Sequence, residues 1–332
     1  MMKMNRIKTV ILITIFFFST NSFSQPNIIF DTDFGGDADD LGALAMLNHF
    51  VNRQECNLLA VMVWSTETYA VPAIDAVNSF YSNPDIPIGV RKKGKYYVEW
   101  NYSKPIADAF KHDETYESAT ESTLLYRKIL SESKNKDVII VTVGPLKNID
   151  NLLNSNPDNI SPLSGKELFE LKVKEVVIMG GQFPQGKKKW NFDGNMPGVT
   201  KRVIENIAVP IVFSGYELGV KIHTAKVFNK LDQNHPLYVG YIHFSSHASW
   251  VKENFKGKIL ENATYDQTAV LYAVRNGVGV YWDKIGNGIN VPDEIGGNKW
   301  LEKKDSNHSY LKLKMPKEHL AKLIDSIMLG DF

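Results

Sequence analysis

Residues 28–44 read IIFDTDFGGDADDLGAL: an apolar run, an acidic loop and the start of an apolar helix, in direct succession. Asn27 to Phe30 suits a short buried strand, while Leu41, Leu44, Ala45 and Leu47 recur at helical spacing up to Phe50. The same order repeats outward. Leu58–Trp64 reads as a buried strand and Ala70–Tyr81 as an amphipathic helix. The runs Asp137–Val143 (DVIIVTV), Glu175–Met179 (EVVIM) and Pro210–Phe213 end in Gly-Pro, Gly and Ser-Gly. Continuous apolar strands alternating with helices predict an α/β fold: an open, mostly parallel, mixed sheet with helices on both faces. The tail alternates over Tyr310–Lys314, and Pro316 then opens a helix with Leu320, Leu323, Ile324 and Ile327 on one face. No internal repeat or Pro/Ser-rich linker divides the chain, so residues 25–332 are expected to form one domain.

Composition narrows the function. The 332 residues include 38 Lys and Arg against 37 Asp and Glu, with 43% apolar residues. That balance excludes a disordered chain, and it excludes a nucleic-acid polymer as partner because phosphate contacts need surplus positive charge. The single cysteine, Cys56, excludes an internal disulfide framework and a multi-cysteine metal site. At the start, Lys3, Arg6 and Lys8 precede an apolar run over Val10–Phe18, followed by Ser22 and Ser24. This is the pattern of a secretory signal over residues 1–24, with an apolar run far short of the roughly 20 residues that span a bilayer. Export to the periplasm or beyond is therefore expected, with no stable membrane insertion once the signal is removed.

The loop from Asp31 to Asp40 holds five carboxylates in ten residues: Asp31, Asp33, Asp37, Asp39 and Asp40. Parallel sheets bind ligands at the carboxyl ends of their strands, which is where this loop falls. Carboxylates so close repel one another unless a cation neutralises them, and all-oxygen ligation favours calcium or magnesium over zinc or iron. An EF-hand starting at Asp31 fails, since its fifth and twelfth positions hold Gly35 and Gly42. A phosphatase of the haloacid dehalogenase type, with Asp31 as covalent nucleophile, remains open, although Gly35 stands where such enzymes usually have Thr or Val. Other motifs are weaker. His243 and His247 lie four apart without the Glu of a zinc-protease motif. Ser214-Gly215 lacks the preceding Gly of a nucleophile elbow, and Gly277 with Gly279 makes no complete dinucleotide fingerprint. Trp64, Trp190 and Tyr216 lie near strand ends, where aromatic rings either stack on a base or pack the core.

The 28–44 stretch resembles the signature of the inosine/uridine-preferring nucleoside hydrolase family, Asp-x-Asp-Pro-Gly-x-Asp-Asp before an apolar helix. Val141–Ile149 (VTVGPLKNI), Val176–Gly181 (VVIMGG), Lys189–Phe192 (KWNF) and Tyr265–Val270 (YDQTAV) are similar to further family segments, in the same order. The resemblance implies a Rossmann-like nucleoside hydrolase fold in a divergent, exported, bacterial-type member active in nucleoside catabolism. It implies hydrolysis of ribonucleosides to ribose and free base, by water held on one calcium ion and activated by an aspartate. It further implies Asp33 as general base and calcium ligand, with Asp40, Asp266 and the Val143 carbonyl completing the metal site. Asp39 and Asn191 would contact the ribose.

Three departures accompany it. The acidic loop is two residues longer than the signature, so counting from Asp33 selects Asp37, whereas counting from the helix selects Asp39 and leaves Asp37 a spare carboxylate near the substrate. Lys189 replaces a ribose-binding glutamate, with Glu217 a candidate stand-in from the Phe213–Glu217 segment. Tyr265 stands where purine-active members often place a leaving-group histidine, and tyrosine is the weaker acid near neutrality. Two rivals follow: a non-catalytic nucleoside- or ribose-binding protein on this scaffold, and a hydrolase of another N-ribosyl compound. The preferred base and self-association into a homo-oligomer are left open.

Overall fold

Side-chain alternation within single strands sets the layers of the structure. The protein is described by a computed structural model covering residues 25–92 and 98–332; the secretory signal expected over residues 1–24 lies outside the described residues. Strands β1 (Asn27–Thr32), β2 (Asn57–Val63), β3 (Ile88–Val90), β4 (Thr120–Glu121) and β5 (Val138–Thr142) form the first half of the large sheet. β6 (Val173–Met179), β7 (Gln185–Gly186) and β8 (Ile211–Ser214) follow in the chain. A two-stranded pair, β9 (His223–Thr224) with β10 (Asn262–Ala263), stands apart. The tail supplies β11 (Trp282–Pro292), β12 (Asn298–Glu302) and β13 (His308–Leu313).

The large sheet has the order β4-β3-β2-β1-β5-β6-β8-β13-β11-β12-β7. Every neighbouring pair from β4 to β13 is parallel, and the pairings beyond β13 are antiparallel. The expected mixed, mostly parallel sheet is what forms. In β1, Ile28 and Phe30 join one hydrophobic cluster and Ile29 the other. β5 divides likewise, with Ile139 and Val141 on one side and Val138 and Ile140 on the other. Strands apolar on both faces require helices on both. Asp39–Asn52, Ala70–Phe80, Asp266–Arg275 and Lys317–Leu329 cover the first face, and Ser122–Glu132, Lys147–Leu153, Gly165–Lys172 and Val199–Asn206 the second. Among the described residues, no helix is long and apolar enough to cross a membrane.

This order places a switch point at β1. Its chain continues to β2 on one side, whereas β5 pairs on the other, so the loops leaving β1 and β5 diverge and open a crevice at the strands' carboxyl ends. The two loops touch at the base of the crevice. Val143 N–H donates to the Asp31 carbonyl at 2.7 Å, and a Cβ added at Gly144 would lie 2.8 Å from the Asp33 amide nitrogen. Backbone cannot yield as a flexible side chain can, so Gly144→Ala should lower unfolding stability by about 1–3 kcal/mol. Urea titration checks this; an unchanged midpoint would mean that the loops separate freely.

Candidate active site

Two helices begin at the crevice. The Asp39–Asn52 helix carries Asp39 and Asp40 in its first turn, and the Asp266–Arg275 helix starts with Asp266 itself. Helix N-termini carry partial positive charge and unpaired N–H groups, so each is a favourable place for a carboxylate. Asp39 uses both helices: its Oδ2 accepts the backbone N–H groups of Tyr265 and Asp266, each at 3.3 Å. Gly42 permits the approach, since a Cβ there would lie 2.4 Å from Gln267 Nε2 and 2.6 Å from the Tyr241 hydroxyl.

As a result, carboxylate oxygens of Asp39, Asp40 and Asp266 lie within 4.8 Å of one another, with all three residues buried. Asp40 is held by a hydrogen bond from the Thr32 hydroxyl. Burial pushes the carboxyls of Asp39, Asp40 and Asp266 well above the usual range, and repulsion from neighbouring carboxylates, Asp33 and Asp37 among them, adds to it. Among the described residues, no Lys or Arg forms an ion pair with any of them. Buried, converging carboxylate oxygens with no cationic side chain paired to them fit a hard divalent cation.

Asp33, Asp37, Asp39, Asp40 and Asp266 all line one cavity of about 600 Å³, together with Val143, Asn191 and Tyr265. Asp33 is turned toward the wall, where its Oδ2 accepts the Trp190 indole N–H at 2.6 Å. Burial raises its carboxyl to about 6, against the lowering effect of that hydrogen bond. Asp37 accepts from Asn262 Nδ2 at 2.6 Å. Asn191 donates from Nδ2 to the carbonyls of Val143 and Met179, so this amide and the carbonyl expected as a metal ligand face each other. Lys189 and Lys188 stand in the wall, and Trp190 and Tyr216 face the cavity, whereas Trp64 is buried.

Two expected residues are placed elsewhere. Glu217 does not line the cavity; its Oε2 accepts the Phe183 N–H at 2.9 Å. Asp31 also lies away from it, tied by Tyr126 (2.8 Å) and Asn148 (3.1 Å) beneath the sheet, which removes the phosphatase reading with Asp31 as nucleophile. Sequence reasoning missed Trp100 and Trp250, which pack edge-to-face at 5.0 Å on the cavity rim. Neither sits in a motif, and 150 positions separate them, so no local signal pairs them. His243 and His247 do share a helix face, stacked at 4.0 Å, but join no metal-ligand cluster among the described residues.

Comparison with solved structures returns the same architecture. A plant nucleoside hydrolase superposes with a TM-score of 0.66 at 13% identity, covering 91% of this chain and 98% of its own. An inosine-guanosine nucleoside hydrolase gives 0.64 at 19% identity, with 92% and 99% covered. A type III effector protein complexed with adenosine diphosphate ribose gives 0.65 at 13% identity, with 93% and 94% covered. No curated protein sequence matches the chain. The family model for inosine-uridine preferring nucleoside hydrolases matches residues 28–306, from the first strand through the acidic crevice to the last hairpin. The chain belongs to this family and is a hydrolase of N-glycosyl bonds.

Proposed function

We propose that the protein hydrolyses ribonucleosides to ribose and free base, with one calcium ion held by Asp33, Asp40, Asp266 and the Val143 carbonyl. The observation that carries this reading is the buried convergence of Asp40 and Asp266, with Asp39, at two helix N-termini. Asp33 lines the same cavity outside that cluster, and its place in the ligand set rests on the resemblance. Calcium, when bound, would supply the positive charge these carboxylates lack, orient sugar hydroxyls and acidify a water. The resemblance of the loop to the family signature supports Asp33 as the base. The Trp190 N–H holds Asp33 at the cavity wall, where its carboxylate would accept the proton of the attacking water. The resemblance assigns Asp39 and Asn191 to ribose hydroxyls, and both line the cavity. As the C1′–N bond breaks, electrons pass to the base and positive charge grows on the sugar, where the carboxylates of the cavity floor stabilise it. Tyr265, whose hydroxyl burial holds protonated, offers the leaving base a hydrogen bond rather than a strong acid. The basic, apolar and small-residue sequence of residues 1–24 supports action outside the cytoplasm.

Incubation with a panel of ribonucleosides, with calcium or with chelator, should release ribose only when calcium is present. Asp33→Ala should lower kcat by about 10²–10⁴-fold, the usual contribution of a positioned base. Unchanged ribose release by that variant would place the base elsewhere.

A second expectation concerns stability. A carboxyl whose pKa rises on folding favours the folded chain while protonated, so chelated protein should lose stability as pH climbs from about 4 toward neutrality. Protons compete with the cation for the same oxygens, so calcium should raise Tm more at pH 7 than at pH 5. Equal calcium shifts at both pH values, measured by calorimetry, would contradict a carboxylate site.

A further inference from the structure

The cavity is electrically two-ended. Its floor is carboxylate, while Lys189 stands in its wall. The three lysines of the 187–189 run differ. Lys187 and Lys188 are exposed, and Lys188 is paired with Asp193 at 2.9 Å. Lys189 is half-buried and its main chain is pinned: its N–H donates to the Gly296 carbonyl, and its own carbonyl accepts from Phe192 and Asp193. Its Nζ lies 3.5 Å from the centre of the Tyr216 ring, which stacks on Tyr265 at 5.4 Å. Among the described residues it forms no ion pair. Glu217 feels its charge, yet aims its carboxylate at the Phe183 N–H and lies outside the cavity lining.

A solvated lysine keeps its ammonium in water. This one is laid over an aromatic face beside the cavity, where a ring supplies part of the attraction and leaves the positive charge available. A neutral ribonucleoside offers hydroxyls to the acidic floor and nothing negative to Lys189. Resting on the hydrolase reading above, we propose that Lys189 selects N-ribosyl substrates that carry a negative charge. That charge has two sources, a phosphate on the 5′ carbon of the sugar or an acid group on the base. The reaction is unchanged: water adds OH to C1′, the C1′–N bond breaks, and the second proton goes to the leaving base. The anionic group is bound and not transformed.

The test compares uridine, uridine 5′-monophosphate and orotidine with the calcium-loaded full chain, reading kcat/KM from released sugar. The native protein should favour at least one anionic substrate over uridine by roughly 10- to 100-fold, the range expected of a charge-assisted contact. Preference for the monophosphate assigns the charge to the sugar, and preference for orotidine assigns it to the base. Lys189→Met should bring the preferred ratio close to one, and Lys189→Glu should reverse it. The loss should fall mainly in KM. A ratio between substrates is measured within one protein sample, so partial misfolding of a variant does not imitate the result. Uridine hydrolysed as well as both anionic compounds, with ratios unmoved by Lys189→Met, overturns this inference while leaving the hydrolase reading intact. No release from any of the three overturns both.

Discussion

Several carboxylates buried in one crevice repel each other, and the arrangement of this chain is organised around that repulsion. Asp33, Asp39, Asp40 and Asp266 are buried in the same cavity, and burial alone raises every one of them. Without a bound cation, the fold offsets the repulsion only in part. Two helix N-termini point at the group, Asp39 receives two backbone N–H groups, Asp40 a hydroxyl and Asp33 an indole N–H. Each donor stabilises a carboxylate while adding no positive formal charge. That electrostatic profile fits a site completed by a cation.

The strands and the acidic loop were legible because both signals are local. A strand buried on both faces must be continuously apolar, and DVIIVTV or EVVIM can hardly be read otherwise. Five carboxylates in ten residues are equally plain. The arrival of Asp266 beside Asp40 is not local: more than 220 positions separate them, and only the resemblance of Tyr265–Val270 to a family segment suggested it. Within the antiparallel edge, strands β11 and β12 escaped the reading for a different reason. β11 contains Gly286 and Gly288, mixes exposed and buried positions, and shifts register between Ile285 and Gly288, so its period-two pattern is broken. Glu217 shows the limit of proximity in sequence. It does follow a strand end, yet its side chain serves the Gly181–Phe183 turn and not the cavity.

Trp190 links the wall to the acidic loop. Its ring meets Trp64 edge-to-face at 5.9 Å, and its N–H reaches Asp33. Between Lys189, laid over Tyr216, and Asn191, facing Val143, it makes three consecutive residues serve three parts of one cavity. The short Trp190–Asp193 helix turns these side chains in different directions, an arrangement that a strand's two-fold alternation would not provide.

Asp31 and Asp33 show how the end of a strand divides two identical side chains between different duties. β1 ends at Thr32, so Asp31 still lies within the ladder and shares the face of Ile29. That face packs on the Ser122–Glu132 and Lys147–Leu153 helices, and Asp31 meets Tyr126 and Asn148 there. Burial lifts its carboxyl to about 7 despite both hydrogen bonds, which suits a fixed anchor between sheet and helices. Asp33 lies beyond the ladder, where alternation no longer dictates its direction and the chain is free to turn it toward the crevice. Lengthening β1 by two residues would draw Asp33 under the sheet as well. The direction of Asp33 therefore depends on where hydrogen bonding between β1 and β5 stops, and the close contact of Gly144 with the Asp33 backbone marks that point.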